Sequence, residues 1–302
     1  GPNNIYKTPL GTSLPKVMSN DVFRRAGSEI TLHWRDSYNS LRYEVGMNLS
    51  FYDEVWKSIN EDPTTSANPL ISSLGKTLTD GTRTWISNGL YQNVEDLLNN
   101  PHALWTTNLK TGDIQYIDVN GDGRIDTDNT YSDDRIYNGM QPKPILQYGI
   151  DFNLAYKGFS LSGLIQGSGK NYKLIGMNGQ PVGLGRLRFN SELDFWTPTN
   201  TDARYPIPDT GYGQSNNQQG STFWELDCKY IRLKNLQLGY DFKYKFLKNV
   251  TWISNLTLSL VGQNLITISK ANDYYLDPEQ GDVENYGYPI TRTYSLVLNF
   301  GF

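Results

Sequence analysis

The chain has 302 residues, a formal net charge of −4, one cysteine and 13% aromatic residues. Because no cluster of basic residues accompanies this acidic balance, a nucleic-acid-binding protein is excluded, and the single cysteine excludes an intrachain disulfide framework. No apolar run is long enough for a transmembrane helix, whereas the alternating strands of a membrane barrel are compatible with a mean hydropathy of −0.54. Cys228 is interpreted as a small strand residue and not as a reactive thiol.

The first residues, 1–27, are rich in Pro, Asn, Ser and Gly, which predicts a loop. They contain neither the charged n-region nor the apolar h-region of a signal peptide. An exported protein with this sequence has either lost its signal or is the C-terminal part of a longer chain, and we expect the second.

From residue 29, apolar and polar residues alternate, which predicts strands because successive side chains of a strand point to opposite faces. Two strands at about 29–35 and 41–51, joined by a short turn at 36–40, form a long hairpin. About ten residues of this kind cross a bilayer at a tilt. The polar face is strongly charged and includes Glu29, Arg35, Arg42 and Glu44.

The alternation is lost over residues 58–143, where one short helix is predicted at 93–99 with Asn93 as its cap. Strands return at 145–156 and 159–173 around a tight turn at Lys157 and Gly158. A second long insertion, 174–223, holds a short helix predicted to begin at Ser191.

A strand over 224–242 comes next, and its apolar positions change parity between Leu233 and Leu236. This change predicts a β-bulge near Lys234 and Asn235. After a turn at 243–249, the sixth strand begins near residue 255, and a third long loop follows at 269–290.

The last strand has apolar side chains at every second position up to the final residue: Tyr294, Leu296, Leu298, Phe300 and Phe302. A soluble protein would leave such a strand as an exposed edge, whereas an outer-membrane barrel uses it as the closing strand with its apolar face against lipid.

The connections alternate in length along the chain, short after the first, third and fifth strands and long after the others. This alternation places the long loops on one side of a meander. Short periplasmic turns and long extracellular loops are typical of outer-membrane barrels, so the C-terminus is expected on the periplasmic side. About seven strands cannot close a barrel, and the charged faces suit a wide, wet lumen. We therefore predict an all-β chain in which residues 1–302 form the C-terminal strands of a large antiparallel transmembrane β-barrel.

Several short stretches, in this order, resemble the C-terminal region of the SusC/RagA family of TonB-linked outer-membrane proteins. They are residues 118–126 (DVNGDGRID), 195–198 (FWTP), 203–206 (ARYP), 230–240 (YIRLKNLQLGY), 261–265 (VGQNL), 277–278 (DP) and 292–296 (RTYSL). The resemblance covers most of the chain from about residue 27 to the end.

The resemblance implies a plugged barrel of about 22 strands in the outer membrane of a Gram-negative bacterium. Such proteins import glycans, oligosaccharides or peptides, driven by TonB, beneath a SusD-like surface lipoprotein. The family's plug domain and TonB-contacting segment belong to its N-terminal part and are not in this sequence. The closing strand implies contact with outer-membrane lipid and with the barrel-assembly machinery.

A second feature of residues 118–126 is their likeness to the front of a calcium-binding EF-hand loop. The candidate ligands stand at alternate positions: Asp118, Asn120, Asp122, Arg124 (through its carbonyl) and Asp126. The twelfth position is Asn129 and not Glu, so Asp128, Asp133 or Asp134 would have to close the site. The alternatives are a structural Ca²⁺ and a metal-free turn rich in Asp and Asn.

Aromatic side chains in the long loops are candidates for stacking on sugar rings: Trp85, Trp105, Trp196 and Tyr212. The alternative is that they pack the loops together. Tyr156, Phe242 and Phe302, near strand ends, are expected in the interfacial aromatic girdle.

An enzyme is not expected, because His33 and His102 lie far apart in the sequence and no nucleophile, zinc or phosphate motif accompanies them. The first hypothesis is an importer. The second is a secreted all-β carbohydrate-binding module with a structural calcium loop, and the third is a structural or adhesive barrel. Solubility without detergent distinguishes the second hypothesis from the others, and TonB-dependent uptake distinguishes the first from the third.

Overall fold

The computed structural model describes residues 21–61, 63–77, 83–126, 134–139, 143–175, 194–208, 216–279 and 290–302. Within these residues the strands, in chain order, are β1 (Val22–Tyr38), β2 (Leu41–Ser58), β3 (Ser87–Leu90), β4 (Ile114–Tyr116), β5 (Leu146–Tyr156), β6 (Phe159–Ser168), β7 (Tyr172–Leu174), β8 (Glu225–Asp227), β9 (Tyr230–Asp241), β10 (Asn255–Ser269) and β11 (Thr293–Gly301). The helices are α1 (Pro63–Ala67), α2 (Val94–Asn99) and two 3-10 turns, Thr222–Trp224 and Lys270–Tyr274. In this part of the chain, no helix is long and apolar enough to span a membrane.

The seven long strands form one antiparallel sheet in the order β1-β2-β5-β6-β9-β10-β11, so each strand pairs with the next long strand in the sequence. This meander confirms the predicted all-β class. The four short strands form two small sheets, β3-β4 and β7-β8, within the long connections.

The strand register separates the side chains into an apolar face and a polar face. One row across six strands of the apolar face consists of Tyr43, Leu154, Leu161, Leu238, Leu260 and Leu296. One row of the polar face consists of Thr31, Asn48, Gly149, Gln166, Arg232 and Thr267. Because each row runs across six of the seven strands, each face keeps its character from strand to strand.

The predicted bulge is present at Lys234. On one side, the pairing of β9 with β6 moves from Leu233 to Asn235 while β6 advances by a single residue, so Lys234 has no pairing partner on β6. On the other side, the register with β10 shifts at Asn264, whose φ is 52°. The bulge accounts for the change of parity in the sequence.

The tight turn predicted between β5 and β6 has positive φ angles at Lys157 (48°) and Gly158 (86°), the backbone that a two-residue hairpin turn requires. The turn between β9 and β10 is longer than predicted and covers 242–254. The ends of the sheet at these turns are called the short-turn end. The opposite end, where the other connections leave, is called the long-loop end.

Two predicted strands are interrupted. The strand predicted at 159–173 leaves the large sheet after Ser168 and contributes β7 to a small one. The strand predicted at 224–242 is divided into β8 and β9, so Cys228 lies between two strands and not within one. The Cys228 amide donates to the carbonyl of Asn171 at 2.7 Å, and burial raises the pKa of its thiol to about 11. These features fit an inert, structural cysteine.

The hydrophobic core lies in the long connections and not on the large sheet. We call the described residues of these three connections the loop head. Its buried cluster includes Trp85, Ile114, Tyr116, Ile125, Trp196, Tyr205, Trp224 and Leu226. Backbone hydrogen bonds join the first two connections, because Trp85 donates to Gly220 at 3.1 Å and accepts from Thr222 at 2.9 Å. The insertions therefore form a packed unit of their own.

Helix α2 forms where the sequence predicts it. The Asn93 side chain accepts a hydrogen bond from the Asp96 amide at 2.9 Å, which satisfies one free N–H group of the first turn. Its apolar residues are not buried, however, and Leu98 is 77% exposed. A cap and an acidic first turn therefore define this helix better than its apolar stripe does.

Candidate functional site

The polar face of the sheet carries the main candidate site, a cavity of about 750 Å³ near the long-loop end. Amide, hydroxyl and charged groups dominate its lining, which includes Asn48, Gln147, Gln166, Lys173, Tyr230 and Glu279. Most of these residues stand on β2, β5, β6 and β9, whereas Glu279 belongs to the loop that follows β10. The sheet thus supplies one wall and the loop head supplies a second.

Arg232 fixes that loop to the sheet. Its side chain is fully buried and reaches Asp277 at 2.5 Å, while its Nε donates to Thr267 Oγ1 at 2.8 Å. A second guanidinium nitrogen donates to Glu279. The cost of removing a guanidinium and two carboxylates from water is offset only when their hydrogen bonds are complete. This arrangement therefore fixes the position of the loop.

Glu279 extends the same network across the polar face. Its carboxylate accepts from the Tyr230 hydroxyl at 2.6 Å and from the Gln166 amide at 2.8 Å. Next to it, Lys173 Nζ donates to the carbonyl of Pro278 at 2.8 Å. Residues 277–279 are therefore held by strands β7 and β9 and by Gln166 of β6, and they form the edge of the cavity.

This network was not predicted from the sequence, although both of its halves lie in stretches that carry the family resemblance. Arg232 belongs to 230–240, and Asp277 belongs to the DP pair. The order of residues does not show that the loop folds back to β9. One signal was available, because an arginine at a strand position between apolar neighbours requires an acidic partner when it is buried.

The candidate calcium loop has a well-defined backbone geometry. Asp118 accepts hydrogen bonds from three amides, those of Gly121 at 2.6 Å, Asp122 at 3.3 Å and Gly123 at 2.7 Å. Further along, Asn120 accepts from the amide of Asp122, and Asp122 accepts from that of Arg124, both at 2.9 Å. The two glycines have positive φ angles of 76° and 84°. The side chains thus stabilise a tight turn through the backbone.

Asp134 closes this loop from the other side. It is fully buried and accepts from the amides of Val119 at 2.8 Å, Asn120 at 3.3 Å and Asp126 at 3.1 Å. Burial raises the pKa of this carboxyl group, and the three amides oppose that shift.

Among the described residues, no group of three or more His, Cys, Asp or Glu side chains is arranged to hold a metal ion. The proposed closing residues Asp128, Asn129 and Asp133 lie outside the described residues. Calcium binding by Asp118, Asn120, Asp122, Arg124 and Asp126 stays a prediction.

The loop tryptophans lie inside the loop head. Trp85 is 2% exposed, and its ring centroid is 4.5 Å from that of Trp105 and 5.9 Å from that of Tyr116. Trp196 is also buried, and its Nε1 donates to Gln92 Oε1 at 3.2 Å. This burial favours the packing alternative over sugar stacking. Tyr212 lies outside the described residues.

The apolar face is open to its surroundings. On the terminal strand, Leu296 is 71% exposed, and Tyr294, Leu298, Phe300 and Phe302 are exposed as well. Tyr156 is exposed and Phe242 half-buried at the short-turn end. Further exposed aromatic residues in or beside the short turns were not singled out from the sequence: Tyr38, Tyr244, Phe246 and Trp252. Their position next to the turns was the signal that could have found them.

Comparisons with known proteins agree with this architecture. The chain is 31% identical over 204 residues to TonB-dependent receptor P3 of Formosa agariphila, an alignment that covers 62% of this chain and 19% of the receptor. It is 30% identical over 206 residues to TonB-dependent receptor P26 of the same organism, covering 63% of this chain and 20% of that receptor. The chain thus spans about a fifth of the length of these curated relatives. No family model matches the chain.

Solved structures share the fold. The structure of the RagAB peptide transporter superposes on 93% of this chain with a TM-score of 0.64 at 19% sequence identity. The match covers 29% of the RagAB chain. The open-open state of the RagAB peptide importer matches over the same shares with a TM-score of 0.61 at 17% identity. TonB-dependent receptors are not enzymes, in agreement with the sequence analysis. The sequence relatives and the shared fold support the resemblance of this chain to a fragment of a SusC/RagA-like TonB-dependent transporter.

Proposed function

We propose that this chain forms part of the wall and mouth of an outer-membrane, TonB-dependent importer. The observation that carries the proposal is the two-faced sheet, whose apolar face presents exposed or half-buried apolar side chains on its strands while its polar face bounds a hydrophilic cavity. A sheet of this kind separates lipid from a wet lumen. Similarity to TonB-dependent receptors supports the same function.

In this proposal the long-loop end faces the outside of the cell and the short turns and the C-terminus face the periplasm. Alternation of connection lengths supports this orientation. The packed loop head then forms the part of the mouth that meets incoming substrate.

The substrate is a glycan, an oligosaccharide or a peptide, and a SusD-like surface lipoprotein covers the mouth. Two observations support this part of the proposal. The solved structures with the same fold are named as peptide importers. The cavity presents amide and hydroxyl groups such as those of Asn48, Gln147 and Tyr230, which suit a polar, uncharged backbone.

TonB would act on a plug domain carried by another part of the same polypeptide. The strands β1 and β11 each pair with a single neighbour in the described residues, so both edges of the sheet remain available for further strands. Closure of the barrel and contact of β11 with the barrel-assembly machinery belong to this proposal.

Uptake by the intact protein tests the function. Cells of the source bacterium would be supplied with oligosaccharide or peptide pools, and uptake would be compared between wild type, a deletion of the receptor gene and a deletion of its TonB-contacting segment. We expect both deletions to abolish uptake of one pool. Normal uptake in both deletion strains would contradict an importer and leave an adhesive barrel.

Fractionation tests the membrane location separately. The importer requires detergent for extraction from outer-membrane fractions, whereas a secreted carbohydrate-binding module stays soluble without detergent. Recovery of the natural protein in the soluble fraction would contradict the proposal.

A further inference from the structure

A groove on the apolar face at the short-turn end has the form of a lipid site. It has a volume of about 670 Å³ and lies between the β5–β6 turn and the β9–β10 turn. Its lining includes Lys157, Phe159, Tyr240, Phe242, Lys245 and Phe246. The two turns are held together because the Asp241 amide donates to the carbonyl of Gly158 at 2.8 Å.

Five aromatic side chains line this groove, the four named above and Tyr244. The ring centroids of Phe159 and Tyr240 are 4.6 Å apart, and those of Tyr240 and Phe242 are 5.1 Å apart. Phe246 lies 6.0 Å from Tyr240 and 6.1 Å from Phe242, and it remains largely exposed. An exposed, clustered set of rings of this kind is unfavourable in water and favourable at a membrane interface.

The residue types change in order along the strand axis. Leu161 and Leu238 pair one row deeper on the apolar face, the aromatic rings come next, and Lys157 and Lys245 stand in the turns beyond them. This order matches acyl chain, interface and headgroup of a lipid leaflet. Among the described residues that line the groove are two lysines and no carboxylate, so its charge is complementary to an anion.

We propose that this groove binds a phospholipid with an anionic headgroup, one acyl chain lying against Phe159, Phe242 and Phe246 and the phosphate between Lys157 and Lys245. A phospholipid is chosen over lipid A because the groove lies at the short-turn end, which faces the periplasmic leaflet in the proposed orientation. The inference rests on the membrane location in the proposed function and is independent of what the protein transports.

Native mass spectrometry of the full-length protein in detergent tests the site, with phosphatidylglycerol, phosphatidylethanolamine and lipid A as competing probes. We expect wild type to retain phosphatidylglycerol about tenfold better than phosphatidylethanolamine. The double variant Lys157→Gln/Lys245→Gln should lose this preference. The matched control Lys110→Gln/Lys270→Gln removes the same charge outside the groove and should retain it.

The aromatic part of the groove has its own variant. Phe246→Ala should weaken retention of both phospholipids while leaving the preference between them, because it removes contact with the acyl chain and not with the headgroup. Heat-modifiable gel mobility reports whether each variant is folded. The competition between the three lipids for the wild-type protein tests the inference even if a variant fails to fold.

Several results would overturn the inference. They are equal retention of the two phospholipids by wild type, unchanged preference in the Lys157/Lys245 variant, or displacement of phosphatidylglycerol by lipid A. A protein that is soluble without detergent would contradict the proposed function as well, whereas a membrane-bound protein without lipid preference contradicts this inference alone.

Discussion

The large sheet and the loop head gain their structure in different ways. The sheet exposes its apolar face and is held by strand pairing, whereas the loop head buries a compact aromatic core around Trp85 and Trp224. In the sheet, therefore, the hydrophobic contribution depends on what surrounds the protein, while in the loop head it is internal. Replacing lipid by water should therefore change the stability of the sheet, whereas a cavity created by a substitution should lower the stability of the loop head.

The largest expected effect is on the loop head. Trp85→Ala removes the buried ring that contacts Trp105 and Tyr116 in the core of the loop head, and we expect a loss of about 3–5 kcal/mol in the stability of the loop head. Hydrogen exchange followed by mass spectrometry should show faster exchange over residues 83–126 and 216–229, with β5 and β6 unchanged. The matched variant Trp252→Ala, in an exposed short turn, should leave the loop head protected. Equal loss of protection in sheet and loop head would contradict their independence.

The contact between the two regions gives the next prediction. Arg232→Met leaves Asp277 and Glu279 without their buried cation, and we expect a loss of about 3 kcal/mol and faster exchange over residues 270–279. Arg24→Met is the control, because Arg24 and Asp53 form an exposed pair that contributes no more than about 1 kcal/mol. The same exchange rates in both variants would show that Arg232 does not fix the loop.

The sheet was predictable from the sequence because its determinants are local. Alternation located all seven long strands, the parity change located the bulge at Lys234, and Lys157-Gly158 located a turn. The loop head was not predictable, because Trp85 meets Gly220 across more than a hundred residues and Arg232 meets Asp277 only after the loop folds back. The candidate site was not predictable for the same reason, because Gln166 and Glu279 are far apart in the sequence and meet only at the cavity. The sequence indicated the loop tryptophans as substrate-binding residues instead.

A smaller effect is expected at the candidate calcium loop. Asp118→Ala removes the acceptor of three backbone amides and should destabilise the loop head by about 2 kcal/mol. Thermal unfolding with Ca²⁺ and with a chelator then separates the two interpretations of the loop. Calcium binding predicts that Ca²⁺ raises the melting temperature of wild type and not of the variant. An unchanged wild type would identify the loop as a metal-free turn.

The smallest effect concerns pH. Burial raises the pKa of Glu225 in the loop head above its unfolded value, although Asn138 and Thr84 donate hydrogen bonds to it. At pH values between the unfolded-state and the folded-state pKa of Glu225, the folded protein binds more protons than the unfolded chain. The free energy of unfolding therefore falls as pH rises through that window. Glu225→Gln should raise stability at pH 7 by less than about 1 kcal/mol and have no effect at pH 4. A stabilisation that is equal at both pH values would contradict the assignment to Glu225.

The measurement that tests the central claim most directly compares Leu296→Arg with Ser295→Arg in the full-length protein. The two residues are neighbours on β11, both exposed, and they point to the apolar and the polar face respectively. Urea titration of the protein refolded in lipid vesicles should show a loss of about 2–4 kcal/mol for Leu296→Arg and little change for Ser295→Arg, because arginine is costly only where it faces hydrocarbon. Equal, small effects would mean that both faces meet water, and the membrane-wall account would then be wrong.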